Sequence, residues 1–240
     1  MASSNYPLPL LIFDLKASLA HFRRPDTTST HASYPFITRT ALRGLLGAVM
    51  GVEAWPEDAW TGLQLLRPVA TRVQQLSMLG KGFLESGSSF NRPTAIELVI
   101  HPHYRIFYTG CWVEELTDRI RNHQAVFPTY LGSAFAPVVP DFVDLVDSEP
   151  VAMAPNMDIE CHTVIPTDWV AAVAPEPGHA FGRVGGLLYR ALPQRRFAGT
   201  MNLLYEEHNR PFHVTLGPPP ADHPLILARL PKASGSVALW

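Results

Sequence analysis

The sequence predicts an α+β chain whose first part runs β-α-β-β-α-β and whose last part is mostly β. Three observations carry this. Apolar, β-compatible runs alternate with two segments of helical spacing before about residue 150. After that point only short strand-like runs remain, separated by Pro/Gly loops. The 23 prolines imply many fixed turns and long ordered loops throughout.

The first element, Leu8 to Phe22, reads as a central strand that ends at Arg23 and Arg24. Pro25 to Tyr34 is rich in Thr and Ser and reads as a loop. Thr38 is a good N-cap for a helix in which Ala41, Leu42, Leu45, Leu46, Val49 and Met50 recur at helical spacing. Gly44, Gly47 and Gly51 in that helix cost roughly 1 kcal/mol each against Ala, which points to close helix–sheet approach. Leu66 to Leu79 reads as a second strand, and Gly80 to Pro93 has the composition of an exposed excursion. Thr94 to Tyr108 is β-branched and aromatic, a third strand. Trp112 to Gln124 places Trp112, Leu116 and Ile120 four residues apart with acids in its first turn, a second helix. Val138 to Val146 completes the order as a fourth strand. This is the ferredoxin-like motif shared by RNA-recognition folds. Ile159–Ile165, Val184–Ala191, Phe197–Tyr205 and Phe212–Leu216 are strands of a β-rich appendage. The expected division is therefore 1–150 and 151–240, with a projecting loop at about 80–93.

Length and composition bound the function. With 240 residues, 47% of them apolar and 17% charged, the chain is globular rather than disordered. No apolar run approaches the roughly 20 residues of a membrane span. Tyr6 to Phe13 lacks the basic start of a signal peptide. Two cysteines, Cys111 and Cys161, give no disulfide framework and favour a reducing cytoplasm. The net charge of −2 conceals segregation. Leu15 to Val52 holds five basic residues and one acid, Pro177 to Tyr205 four arginines and no acid, and Glu114 to Glu160 nine acids against two arginines. One basic and one acidic face are expected.

The chemistry-bearing residues suit gripping a phosphate backbone. Arg39 and Arg43, four apart, share one helical face near a helix N-terminus, where an anion would relieve their conflict with the dipole. Lys16, His21, Arg23 and Arg24 gather at a strand end, and Tyr34 is placed to stack on a base or to anchor its loop. Lys81, Phe83, Phe90 and Arg92 interleave cations with aromatics on the excursion. His101-Pro-His103 is too sparse for a metal centre, and no phosphate-cradling or dinucleotide fingerprint occurs, so no cofactor is expected.

Several motifs together resemble the CRISPR-associated protein 5 family. They are Phe22-Arg-Arg-Pro25, the helix Tyr34-Pro-x-x-x-Arg-Thr-Ala-Leu-Arg-Gly-Leu-Leu-Gly-Ala48, the Tyr104-Arg-Ile106 pattern, Phe127-Pro-Thr-Tyr-Leu-Gly132 and the stretch Leu192 to Phe197. The resemblance runs from about Leu11 to Val214 and is strongest to members from type I-B systems. It implies a repeat-associated (RAMP) subunit that caps one end of the Cascade complex and grips the 5′ handle of the CRISPR RNA (crRNA). A thumb-like loop would meet the first backbone subunit and another face the large subunit, with target DNA reached through the guide. On this basis Tyr104, Arg105, Arg195 and Arg196 join Lys16, His21, Arg23, Arg24, Tyr34, Arg39, Arg43, Lys81, Phe83 and Arg92 as expected RNA contacts. A non-catalytic role is expected. The alternative is a metal-independent endoribonuclease with His21 as general base and Lys16 or an arginine stabilising charge. A glycine-rich loop near the end of the chain, common in the wider superfamily, has no counterpart in Gly217-Pro-Pro-Pro220.

Overall fold

The computed structural model describes residues 7–27, 30–80, 90–174, 176–192, 194, 196–231 and 235–240. Its elements are β1 (Leu8–Lys16), β2 (Leu19–Ala20), α1 (Arg39–Met50), β3 (Trp60–Leu65), β4 (Thr71–Gly80), β5 (Phe90–Ile100), β6 (His103–Thr109), α2 (Val113–Arg121) and β7 (Asp141–Val151). There follow β8 (Asp158–Cys161), β9 (Ile165–Pro166), β10 (Val170–Val173), β11 (Phe181–Leu192), β12 (Arg196–Glu206), β13 (Phe212–Leu216), β14 (Ile226–Arg229) and β15 (Ser236–Leu239).

Nine strands form one sheet in the order β10-β13-β8-β15-β14-β7-β1-β6-β3. Within it β7, β1, β6 and β3 are neighbours and mutually antiparallel. β1 is buried on both faces, which is why its sequence is a continuous apolar run rather than an alternating one. Leu11, Phe13 and Leu15 point into a large core with α1 and α2, whereas Leu10 and Ile12 point into a second cluster with Phe107, Ala228, Val237 and Leu239. That second cluster exists because the sheet curls back on itself. Thr61 and Trp240 exchange backbone hydrogen bonds of 3.3 and 2.9 Å, joining β3 to the end of β15. Gly62 sits at this seam, where a Cβ would lie 2.8 Å from the Ala238 carbonyl oxygen.

Helix α1 forms where its signals predict. Thr38 Oγ1 accepts from Ala41 N at 3.2 Å, and Gly51 ends the helix in the left-handed region at φ 79. Leu42, Leu45, Leu46 and Val49 are buried.

The predicted α+β order is corrected toward a mostly β chain with two helices. The expected strand Thr94–Tyr108 is two strands, broken at His101 (φ 48) and Pro102. The expected strand Leu66–Leu79 forms only from Thr71, as β4, after Pro68, and β3 (Trp60–Leu65) before it was not expected. The extra pieces leave the main sheet: β4 and β5 pair from Thr71↔Val99 to Gly80↔Phe90 and form a separate sheet, β2-β5-β4. Of the expected excursion, Gly80 ends β4 and residues 90–93 begin β5; residues 81–89, with Lys81 and Phe83, lie outside the described residues. The strand edge β10 and strands β14 and β15 were not expected, and β14 pairs with β7 so that the main sheet runs on across residue 150. A second long hairpin, β11/β12, joins β9 in a third sheet.

Candidate nucleic-acid interface

The residues that β1 leads into gather at the root of the β4/β5 hairpin. β2 pairs with β5 through Leu19↔Ile100 and Ala20↔Val99, which brings His21 beside Glu97. His21 Nδ1 donates to the Glu97 carbonyl at 2.8 Å, while its Nε2 is buried with no partner. Beyond it the chain folds back: Arg23 bridges Ser33, Arg24 N donates to Ala32 O at 2.9 Å, and Tyr34 N donates to Phe22 O at 2.8 Å. The return places His31 along β5, its N–H donating to Ala95 O at 2.8 Å and its carbonyl accepting from Glu97 N at 2.9 Å.

Three rings then line up. His21 lies 6.4 Å from His31 and 6.5 Å from Phe135, at interplanar angles of 18° and 25°. Phe135 is 49% exposed, so the column ends in a ring open to solvent. The His31 imidazole is held below its ordinary range, first by burial and then by the nearby charges of Arg23, His21 and Arg92. Arg23 and Arg92 are exposed, and no carboxylate among the described residues pairs with either. A neutral imidazole, an exposed aromatic ring and two guanidinium groups with no carboxylate partner among the described residues therefore share one surface.

The loop that carries Phe135 also defines a groove. It is lined by Ala41, Gly44, Leu45 and Ala48 of α1 and by Phe127, Tyr130, Gly132 and Pro137, with a volume of about 610 Å³. Gly132 locks this loop against the ring column. Its φ is +80 and a Cβ would fall 2.1 Å from the His21 carbonyl oxygen, so only glycine fits.

The structure does not bring all the expected residues here. Arg39 and Arg43 are 4% and 7% exposed and form no basic face. Arg39 Nη1 donates to Tyr189 O at 2.7 Å, with its guanidinium 4.3 Å from the Tyr189 ring centroid; Arg43 Nη2 donates to Ala59 O at 3.0 Å. Both lie on the stripe 39-42-43-46 that α1 turns inward. Burial, and secondarily Arg43, brings the Arg39 pKa down to about 10.

Tyr104 is a core residue, 2% exposed, its hydroxyl pushed far up by burial. Arg105 is committed to Asp14 through two hydrogen bonds of 2.9 and 3.0 Å, with His103 3.3 Å from the same carboxylate. Arg24 forms a 2.8 Å ion pair with Asp26. Tyr34 is buried and anchors its loop by donating to Gly186 O at 2.9 Å. Lys16 is exposed beside His103 at the end of β1. Arg196 is exposed at the start of β12, and Arg195 lies outside the described residues. Among the described residues no group of three or more His, Cys, Asp or Glu side chains is placed to hold a metal ion. No helix among them is long and apolar enough to cross a membrane.

Residues 10–78 match the family model described as CRISPR-associated protein (Cas_Cas5). This part of the chain is similar to the Cas5 family. The match takes in β1, the His21–Arg24 turn, His31, α1 and the first arm of the β4/β5 hairpin. Two solved structures share the fold. A CRISPR RNA-guided surveillance complex contains a chain superposing at a TM-score of 0.56 with 12% identity, over 89% of this chain and 95% of that one. A CRISPR protein from Archaeoglobus fulgidus does so at 0.53 with 12% identity, over 97% and 99%. No curated protein matches the sequence.

Proposed function

We propose that the protein is a non-catalytic, RNA-binding subunit of a type I CRISPR effector complex that grips the 5′ handle of crRNA. The carrying observation is the pair of exposed guanidinium groups, Arg23 and Arg92, with no carboxylate partner among the described residues, beside the His31–His21–Phe135 ring column. Single-stranded RNA is held by this combination of cations for phosphates and rings for bases. The Cas5 match over residues 10–78 and the fold shared with a chain of an RNA-guided surveillance complex support the same reading. So does the strand order β7-β1-β6-β3 with one helix after β1 and one after β6, which is how a ferredoxin-like unit is built.

In this reading the protein caps one end of a cytoplasmic Cascade particle, closest to type I-B. The β4/β5 hairpin extends toward the first backbone subunit and another face meets the large subunit. Target DNA is reached through guide pairing. Lys16, and Lys81 and Phe83 beyond the described residues, extend the RNA path. Arg39, Arg43, Tyr104 and Arg105 are left to hold the scaffold.

The test is handle-RNA binding by the purified protein, and crRNA content of the assembled complex, for Arg23→Glu/Arg92→Glu against Arg229→Glu on β14. The double variant is expected to lose at least tenfold in affinity and the control to match wild type. Unchanged RNA content in the double variant would sink the proposal. Incubation with repeat RNA in EDTA tests the catalytic alternative: discrete cleavage lost in His21→Ala would replace a gripping role with a processing one.

A further inference from the structure

A second surface, outside the interface above, is built from aromatic rings with an acidic rim. Trp55 and Trp112 meet edge to face with centroids 5.4 Å apart, and Trp55 packs likewise on Tyr108 at 5.8 Å. Trp112 is 40% exposed and sits in the left-handed region (φ 58, ψ 18) just before α2, making no side-chain capping bond. That conformation costs a non-glycine residue about 1–2 kcal/mol. Packing on Trp55 offsets this cost, and the indole still leaves 40% of its surface to solvent.

The rim is anionic. The turn before β3 lies against the turn before α2: the Asp58 backbone carbonyl and Ala59 abut Gly110. Glu53, Asp58 and Glu114 are exposed with no ion pair among the described residues. Glu57 and Glu115 add charge that Arg190 and Arg119 partly offset. Carboxylates beside the exposed Trp112 indole repel a polyanion, which separates this surface from the RNA reading. They favour a guanidinium, attracted to an indole face and to carboxylates at once; the first attraction alone is worth about 0.5–2 kcal/mol.

We infer that this patch is a protein-docking site whose occupant is a basic segment of a partner polypeptide, with an arginine seated on Trp112 next to Trp55. It does not depend on the RNA proposal. Tryptophan and arginine are also the residues enriched at interface hot spots.

The test follows the indole N–H signals of the full-length chain by NMR. Its five tryptophans give five signals, assigned with Trp112→Asn and Trp55→Phe. The probe is acetyl-Gly-Arg-Gly-Arg-Gly-amide, and its counterpart carries uncharged citrulline for arginine. Saturable shifts confined to Trp55 and Trp112 are expected, at least fivefold weaker with citrulline. They should vanish in Trp112→Asn and weaken in Glu53→Gln/Glu114→Gln, with the melting temperature of both variants held within a few degrees. Asp141→Asn/Asp144→Asn on β7 should change nothing. Equal response to citrulline, or shifts spread over all five indoles, would overturn the inference. So would handle RNA displacing the peptide, and so would concentration-dependent dimers that Trp112→Asn abolishes, since the occupant would then be RNA or a second copy.

Discussion

A buried guanidinium with a carbonyl partner holds a fold together rather than meeting a ligand. Arg39 ties α1 to β11 through the Tyr189 carbonyl and ring, and Arg43 ties it to Ala59 before β3. Arg39→Ala is expected to lower unfolding free energy by about 2–4 kcal/mol, from a charged hydrogen bond plus a cation–π contact. Arg23→Ala should leave the urea midpoint unmoved. If the two variants exchange these outcomes, the assignment of scaffold and surface is reversed. The sequence carried the needed signal, because Arg39 and Arg43 occupy the same stripe as Leu42 and Leu46. Their spacing announces a shared face, and only the leucines say that the face is inward. Tyr104 and Arg105 were separable in the same way, since neighbours on a strand point to opposite faces. Glu206 makes a complementary case at low pH. Burial alone would raise its carboxyl pKa, but N–H donors from Arg210, Ala180 and His208 outweigh this and hold it below the ordinary value. The native state therefore binds that proton less readily than the unfolded chain. The stability it confers is whole above the ordinary carboxylate range and lost as pH falls through the depressed value. Glu206→Gln should flatten this acid limb, as read from urea midpoints between pH 5 and roughly 3; an unchanged limb would assign the pH dependence elsewhere.

Elements were legible wherever a local signal decided them. α1 begins at its N-cap threonine as the sequence predicts but stops at Gly51, a left-handed glycine expected inside the helix, and the apolar run of β1 follows from its two buried faces. The hairpin β4/β5 was not legible as a hairpin. Its exposed arms carry no strict alternation, since Thr71 to Gln75 are all solvent-facing, and pairing with β2 and His31 is a long-range event. Phe135 and His31 were missed for the same reason. Neither stands in a periodic segment, and the ring column exists only once the 127–137 loop packs on His21. Gly132 controls that packing. Gly132→Ala puts a Cβ into the His21 carbonyl at a φ few residues adopt, at a cost of at least about 1–3 kcal/mol. It is expected to shift the Phe135 and His31 ring resonances and to weaken handle-RNA binding, whereas Gly44→Ala, on the open face of α1, should raise helix stability and spare the rings. Wild-type ring resonances in Gly132→Ala would separate the loop from the interface.

The whole molecule is where the sequence said least, because sheet closure joins residues about 180 positions apart. Thr61 and Trp240 meet across the seam, and Trp240 is 1% exposed with its indole N–H donating to Val164 O at 3.1 Å. Since β7 pairs with both β1 and β14, cooperativity should extend across residue 150: calorimetry is expected to show one transition. Trp240→Ala should lower it as a unit, by about 3–5 kcal/mol; two resolved transitions would divide the molecule there. Charge behaves as a whole-molecule property as well. With a net charge of −2, RNA affinity must come from a few local contacts rather than from a general field. The logarithm of the affinity for handle RNA should therefore fall only gently with the logarithm of salt concentration. Arg23→Gln/Arg92→Gln should reduce that slope by about 1.4, two phosphates at roughly 0.7 each. A slope that does not change would mean that these two guanidinium groups touch no phosphate, however favourably they stand beside the rings.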